Sequence, residues 1–302
     1  MNRSKRKLCV ITATRAEYGW LKPLIKEIDN SEKFVLQLLV TGTHLSQKHG
    51  FTINEIEKDG FKIDYKIDMK ISNDSNHSTS LSLSRLITQL SRQFKKLSPE
   101  LIILSGDRFE LLAIALTATI HRIPIAHLNG GELTEGAFDD NIRHSITKLS
   151  HLHFVSTETY RNRVTQLGEN PKNVFNIGSL GIDAIKSFKL LKRDQLENSL
   201  GIELFKKNLL ITYHPLTNYS NEESQKEITA IINALSKFKK IVQIFTMPNA
   251  DPGNNAIYQI INSYVKENKN VFFFKSLGHL RYLSLLSQVD GVIGNSSSGI
   301  TE

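Results

Sequence analysis

The stretch Leu101–Lys148, LIILSGDRFELLAIALTATIHRIPIAHLNGGELTEGAFDDNIRHSITK, decides how this chain folds. Leu101–Leu104 is a short apolar run of strand character, and it passes through Gly106 into a helical pattern at Phe109–His121. A second apolar run, Ile123–His127, is followed by a glycine-bearing loop and a helical pattern at Asn141–Leu149. Strand, helix, strand, helix in that order reads as a βαβ unit and a parallel sheet. In an open parallel sheet, ligands bind beyond the carboxyl ends of the strands. Asp107, Arg108, Glu110, Glu132, Glu135, Asp139, Asp140, Arg143 and His144 gather there. So many acids, with Arg and His among them, suit an acid–base site for an anionic substrate.

The alternation continues on both sides. Strand-like runs lie at Leu8–Thr12, Val35–Val40, His153–Val155, Leu209–Thr212, Ile241–Phe245, Val271–Phe274 and Gly291–Ile293. Helical patterns fall at Trp20–Ile28, Leu81–Leu97, Thr159–Leu167, Glu222–Phe238, Ile257–Glu267 and His279–Ser287. The polar stretch Ser72–Ser80 reads as a loop, and Leu180–Leu200 reads as a helix leaving a first domain. The expected fold is α/β, with two Rossmann-like domains facing a cleft, residues 1–185 and 186–302. A helix of one turn is a poor end for a domain. The second domain is therefore expected to lack its C-terminal part.

Composition sets the class. The chain has 302 residues, 40% hydrophobic and 23% charged, as in ordinary globular proteins. No apolar run approaches the roughly 20 residues needed to span a bilayer. The basic start MNRSKRK leads into a strand rather than a signal-peptide core and cleavage site. A single cysteine, Cys9, excludes a disulfide framework, and a reducing cytoplasm is expected. The net charge of +8 favours anionic ligands. Zinc spacings and RNA-recognition signatures are missing, so a phosphate-bearing small molecule is the expected partner, with no nucleic acid and no membrane.

Other strand ends add candidates. GNSSSGITE follows a strand and opens a helix, so its free backbone N–H groups would suit phosphate. ITATRAEYG also joins a strand to a helix, but it lacks the glycine and lysine patterns of NAD and ATP loops. Arg15 there either contacts the ligand or caps the turn. His214 lies just past a strand and before Pro215, while Asn249 and Asp251 sit in a Pro/Gly turn. His151 and His153 share a face, but without a Cys partner or HExxH pattern no metal is expected, and no cofactor.

Taken in order, TATRAEYGWLKPLI, TGTHLS, SGDRFELLAIAL, HLNGGELTEGAFDDNIRHSITKLSHLHF, TYHP, MPNAD and GNSSSGITE resemble the hydrolysing UDP-N-acetylglucosamine 2-epimerases. The resemblance is to the branch that makes N-acetylmannosamine for sialic-acid-type sugars, and it covers essentially the whole chain. It implies a GT-B-like architecture, UDP in the interdomain cleft, and a homodimer or homotetramer. It implies a reaction in which the C2 proton is removed as UDP leaves C1. C2 of the resulting glycal is then reprotonated from the opposite face, and water adds at C1. The C2 proton is not adjacent to a carbonyl, so positioned acids and bases must carry the step, each contributing about 10²–10⁴-fold. Clustered carboxylates can hold one acid protonated beside another that is ionised.

Residue by residue, the resemblance implies that Asp107 and Glu132 are acid–base residues, with Asp139 a third. Asp139 and Arg143 are four apart and share a helix face, as do Asp140 and His144; ordinary helix support would use the same spacing. Arg143 is favoured for the site because the preceding loop carries this helix start toward the ligand. Arg108 would hold phosphate or polarise the acetamido group. His214 matches a position near the phosphates, Arg15, Asn249, Ser296 and Ser297 match nucleotide contacts, and Glu302 matches a ribose-binding acid. Many family members have Glu where this chain has Asn129, and an amide cannot act as a general base. Either Glu132 and Asp139 take over that proton transfer, or the substrate is UDP-2,4-diacetamido-2,4,6-trideoxyglucose, on the route to legionaminic acid. A GT-B glycosyltransferase and a non-catalytic UDP-sugar sensor are the other readings open to the sequence.

Overall fold

The computed structural model describes residues 5–71, 75–134, 138–187, 189–215, 220–247, 254–296 and 298–301. The chain forms two compact α/β units, the first holding most residues up to Ala184 and the second holding the chain from Ile185 on together with Gln47–Gly50. The first is built on a parallel sheet of seven strands: β1 (Arg6–Thr12), β2 (Phe34–Val40), β3 (Tyr65–Lys66), β4 (Leu101–Ser105), β5 (Ile125–Leu128), β6 (Leu152–Val155) and β7 (Val174–Asn176). Their order is β3-β2-β1-β4-β5-β6-β7. The second unit has β8 (Asn208–Thr212), β9 (Val242–Thr246), β10 (Val271–Phe274) and β11 (Gly291–Gly294) in the order β10-β9-β8-β11, again all parallel.

The apolar runs become strands because both sheet faces are covered. Cys9 and Ile11 pack with Ile102, Leu104 and Ile125 under the helices Asn76–Leu97, Phe109–Ile120 and Asp139–Leu149. Leu8 and Val10 point the other way, to Leu21 and Ile25 of the helix Arg15–Asp29. In the second unit, Leu210 and Ile211 divide in the same manner between two cores. The Cys9 thiol is buried and pushed up to about 12 by that burial, which leaves it unreactive.

Chain order reverses between β1 and β4 in the first sheet and between β8 and β11 in the second. At such switch points, connections leave in opposite directions and open a crevice at the carboxyl ends. Gly294 ends β11 at φ +140°, and a Cβ there would lie 1.9 Å from the Thr212 carbonyl oxygen, so only glycine fits.

Three expectations change. Asn76–Ser80 is helical rather than loop, because Ser78 and Ser82 bury on the same stripe as Leu86, Leu90 and Phe94 and extend the helix by small residues; residues 72–74 lie outside the described residues. Leu180–Leu200 is two helices, Leu180–Ser187 and Arg193–Leu200, the second starting after an extended Lys192. β3 and β7 escape the sequence reading, being two and three residues long. Among the described residues, no helix is long and apolar enough to cross a membrane.

Candidate active site

The acids of the first unit converge through one arginine. Asp107 leaves β4 through Gly106, which takes φ +97° and lets the chain turn sharply into the helix Phe109–Ile120. Arg143 comes from the helix Asp139–Leu149 and is only 3% exposed. Its Nη1 donates to the Glu132 carbonyl at 2.7 Å and to Asp140 Oδ1 at 2.6 Å. Its Nη2 donates to Asp107 Oδ2 and, at 2.8 Å, to Thr134 Oγ1. A guanidinium suits this task, because its fork is planar and always charged. The Thr134 amide also donates to Asp140 Oδ1 at 2.7 Å, closing the loop onto the helix start. Asp140 thus holds Arg143 within the helix from three residues back, and Asp139 is half-buried at the helix start.

Glu132 sits in a loop whose backbone is tightly held. Asn129 follows β5 at φ +63°, and its amide N–H donates to the Phe154 carbonyl. Gly131 takes φ +79° where a Cβ would lie 2.5 Å from the Tyr160 carbonyl oxygen, and Arg163 donates to the Gly131 carbonyl from the same helix, Glu158–Gln166. The Glu132 carboxylate accepts from Asn129 Nδ2 and from Ser156 Oγ, both at 3.2 Å on Oε1. Ser105 Oγ donates to Asn129 Oδ1 at 3.1 Å.

Histidine 127, read from the sequence as an ordinary strand residue, supports the same corner. It is fully buried on β5, with Nε2 2.8 Å from the Gly106 carbonyl oxygen and Nδ1 3.2 Å from Thr147 Oγ1. Burial lowers its pKa to about 4, so it is neutral at pH 7 and its Nε2–H donates to the carbonyl that precedes Asp107.

Across the switch point, Thr14 caps the helix Arg15–Asp29 and half-buried Arg15 is its first residue. Glu17 is buried two residues on and accepts from the Ala13 amide at 2.8 Å. Burial, added to by Glu110, raises Glu17 to about 8, against the pull of the Ala13 amide and Arg108. Arg108 Nε lies 3.4 Å from Glu110, whose side chain is fully buried, and the guanidinium stacks over the Phe109 ring. The resemblance implies a phosphate or acetamido role for Arg108, and its partners within the first unit include Glu110 and Phe109.

In the second unit, β8 and β11 are tied at their carboxyl ends. The His214 amide donates to Asn295 Oδ1, and Asn295 Nδ2 donates back to the His214 carbonyl, both at 2.8 Å. Asn295 was hidden in the sequence within the serine-rich turn. Ser296 Oγ lies 3.0 Å from Ser298 Oγ, which also bonds Tyr282. Asn249, Asp251, Ser297, Glu302 and Glu135 lie outside the described residues. His153 pairs with Glu169 at 3.1 Å rather than with His151, which instead faces the Ile125 amide. Among the described residues, no group of three or more His, Cys, Asp or Glu is arranged to hold a metal ion.

A family model described as UDP-N-acetylglucosamine 2-epimerase matches residues 26–302. A GDP/UDP-N,N'-diacetylbacillosamine 2-epimerase (hydrolyzing) from Campylobacter jejuni is 46% identical over 301 residues, covering 99% of this chain and 78% of the relative. A UDP-N-acetylglucosamine 2-epimerase from Neisseria meningitidis serogroup B is 33% identical over 298 residues, covering 99% and 76%. The crystal structure of a UDP-GlcNAc 2-epimerase from Neisseria meningitidis, bound to UDP-GlcNAc, shares the two-domain fold with a TM-score of 0.76 at 19% identity, covering 96% of this chain and 78% of that one.

Proposed function

Starting from the fact that this chain belongs to the UDP-N-acetylglucosamine 2-epimerase family, we propose that it is a hydrolysing 2-epimerase whose substrate is UDP-N,N'-diacetylbacillosamine, a 2,4-diacetamido-2,4,6-trideoxyglucose. The products are UDP and the free 2-epimer. The observation that carries the reading is the Arg143 clamp, which gathers Asp107, Asp140 and the Glu132 loop at the ends of β4 and β5. A site that only bound a diphosphate would have no use for several carboxylates, since each repels the ligand.

In the first step a carboxylate takes the C2 proton while the C1–O bond to UDP breaks and its electron pair leaves with the diphosphate. The product of that step is a glycal. Asp107 and Glu132 are the proposed pair that removes and returns the C2 proton on opposite faces, with Asp139 delivering or accepting the proton of the water that adds at C1. Arg143 fixes Asp107, so that the acid meets C2 without reorganisation. His214, Arg15, Arg108, Asn249, Ser296, Ser297 and Glu302 are proposed to face the nucleotide, where a protonated His214 would favour UDP departure.

The diacetamido substrate is preferred because the relative acting on that sugar is 46% identical, against 33% for the UDP-N-acetylglucosamine enzyme. Plain UDP-N-acetylglucosamine, giving N-acetylmannosamine, is the second reading and rests on the latter relative. Steady-state UDP release from both sugars separates them. A kcat/KM at least tenfold higher for the diacetamido sugar is expected; the reverse order would assign UDP-N-acetylglucosamine.

A further inference from the structure

Asn129 stands where a second acid would be convenient, yet its amide cannot transfer a proton. We propose that Asn129 is a positioning residue, an amide strut between β4 and the 130–132 loop that aims the Glu132 carboxylate; this rests on reading Glu132 as an acid–base residue. Asn129 follows β5 in the left-handed region, a backbone shape that Asn, Asp and Gly accept and other residues resist. Its position is fixed from both sides by the Phe154 carbonyl on its N–H and the Ser105 hydroxyl on its Oδ1. The Ser105 hydroxyl donates, so the amide's other end must be the donor. That end meets Glu132 Oε1 at 3.2 Å. Ser156 Oγ donates to the same oxygen from the end of β6. Two donors from just past the ends of two different strands therefore hold one carboxylate oxygen, which leaves Oε2 as the oxygen for the reaction. The amide also approaches a carboxylate closely as a donor that stays neutral at every pH, so it adds neither a second negative charge nor a second titrating group.

Two substitutions keep the backbone and change only the amide. Asn129→Gly accepts the left-handed conformation and removes the strut. Asn129→Asp keeps size and shape but sets two carboxylates about 3 Å apart, which cannot both ionise freely. The first readout needs no substrate: titrating the Glu132 carboxyl by 13C NMR. Its midpoint is expected to rise by more than about half a pH unit in Asn129→Asp, and a smaller displacement would overturn the proposal. The second is turnover. Asn129→Gly is expected to lose at least tenfold in kcat with KM changed less than threefold, whereas a kcat within threefold of the wild type would contradict it. If the wild type turns over neither UDP-sugar, the functional reading fails while the titration still tests the strut. A purely conformational role for Asn129 predicts a silent Asn129→Gly, since glycine serves that role equally well.

Discussion

Replacing Arg143 by lysine tests whether one guanidinium organises the acid cluster. Arg143 makes four bonds, to Asp107, Asp140, Thr134 and the Glu132 carbonyl, and a lysine ammonium has only three donors at a single point. At least one charge-assisted bond is lost, and such bonds contribute about 1.5–3 kcal/mol each. Asp107 and Asp140 keep about a quarter of their side-chain surface exposed, 25% and 28%, so water offsets part of the loss. The expected cost is ~2 kcal/mol, below the ~3–5 kcal/mol seen when a fully buried pair is broken. For a domain of this size that is a fall in Tm of about 4–8 °C. The activity loss should be far larger than the stability loss explains, because Asp107 is no longer aimed. Thermal unfolding of Arg143→Lys, Asp107→Asn and the double variant forms a cycle. A coupling of at least ~1 kcal/mol between the two sites is expected. Additivity within ~0.3 kcal/mol, or a Tm unchanged by Arg143→Lys, would refute the clamp.

Acid should destabilise the protein through its buried histidines. His127 and His44 are held at about 4 and about 3 by burial, against an ordinary 6.5, so the unfolded chain binds protons that the fold excludes. Their contribution is complete above about pH 6.5 and falls as pH drops, by roughly 3 kcal/mol each at pH 4; denaturant melts of His127→Gln between pH 4 and 7 should show a visibly flatter profile. Glu17 has the opposite sign. Its folded value near 8 lies above the ordinary 4.5, so stability is greatest below about pH 4.5 and declines as pH rises toward 8, at up to ~1.4 kcal/mol per unit. Glu17→Gln should abolish that decline in melts from pH 5 to 8, and an unchanged slope would remove Glu17 as its source. Gly294→Ala must displace the end of β11 from the Thr212 carbonyl and is expected to lower the Tm of the second unit by several degrees, read by calorimetry. Asp107→Asn should abolish turnover while leaving UDP affinity within a few fold, measured by calorimetric titration.

How much of this could be read from the sequence depended on distance along the chain. Nine strands were legible as apolar runs between helical patterns, because burial on both faces demands such runs. The acids at Leu101–Lys148 were legible as a cluster because they follow strand ends within a few residues. What was hidden is what pairs across the fold. His127 looked like core until its ring met Gly106, 21 residues away, and Asn295 looked like part of a serine turn until it met His214, 81 residues away. Ser156 and Arg163 carry no motif: the chain just past β6 brings Ser156 to Glu132, and the packing of the helix Glu158–Gln166 on Gly131 brings Arg163 to the Gly131 carbonyl. Within the helix, the four-residue spacing singled out Asp139 with Arg143 and Asp140 with His144, and did not reveal that Asp140, three residues back, bonds Arg143. Ser78 and Ser82 misled in the other direction: polar residues on a buried stripe hid a helix.

On the proposed reading, this site moves a proton at C2 as UDP departs. Turnover of UDP-N,N'-diacetylbacillosamine in D₂O, with the sugar product read by NMR, tests it most directly. The expected product is the 2-epimer carrying one solvent deuterium at C2, formed in step with UDP. UDP release with C2 still bearing its original hydrogen would contradict the account.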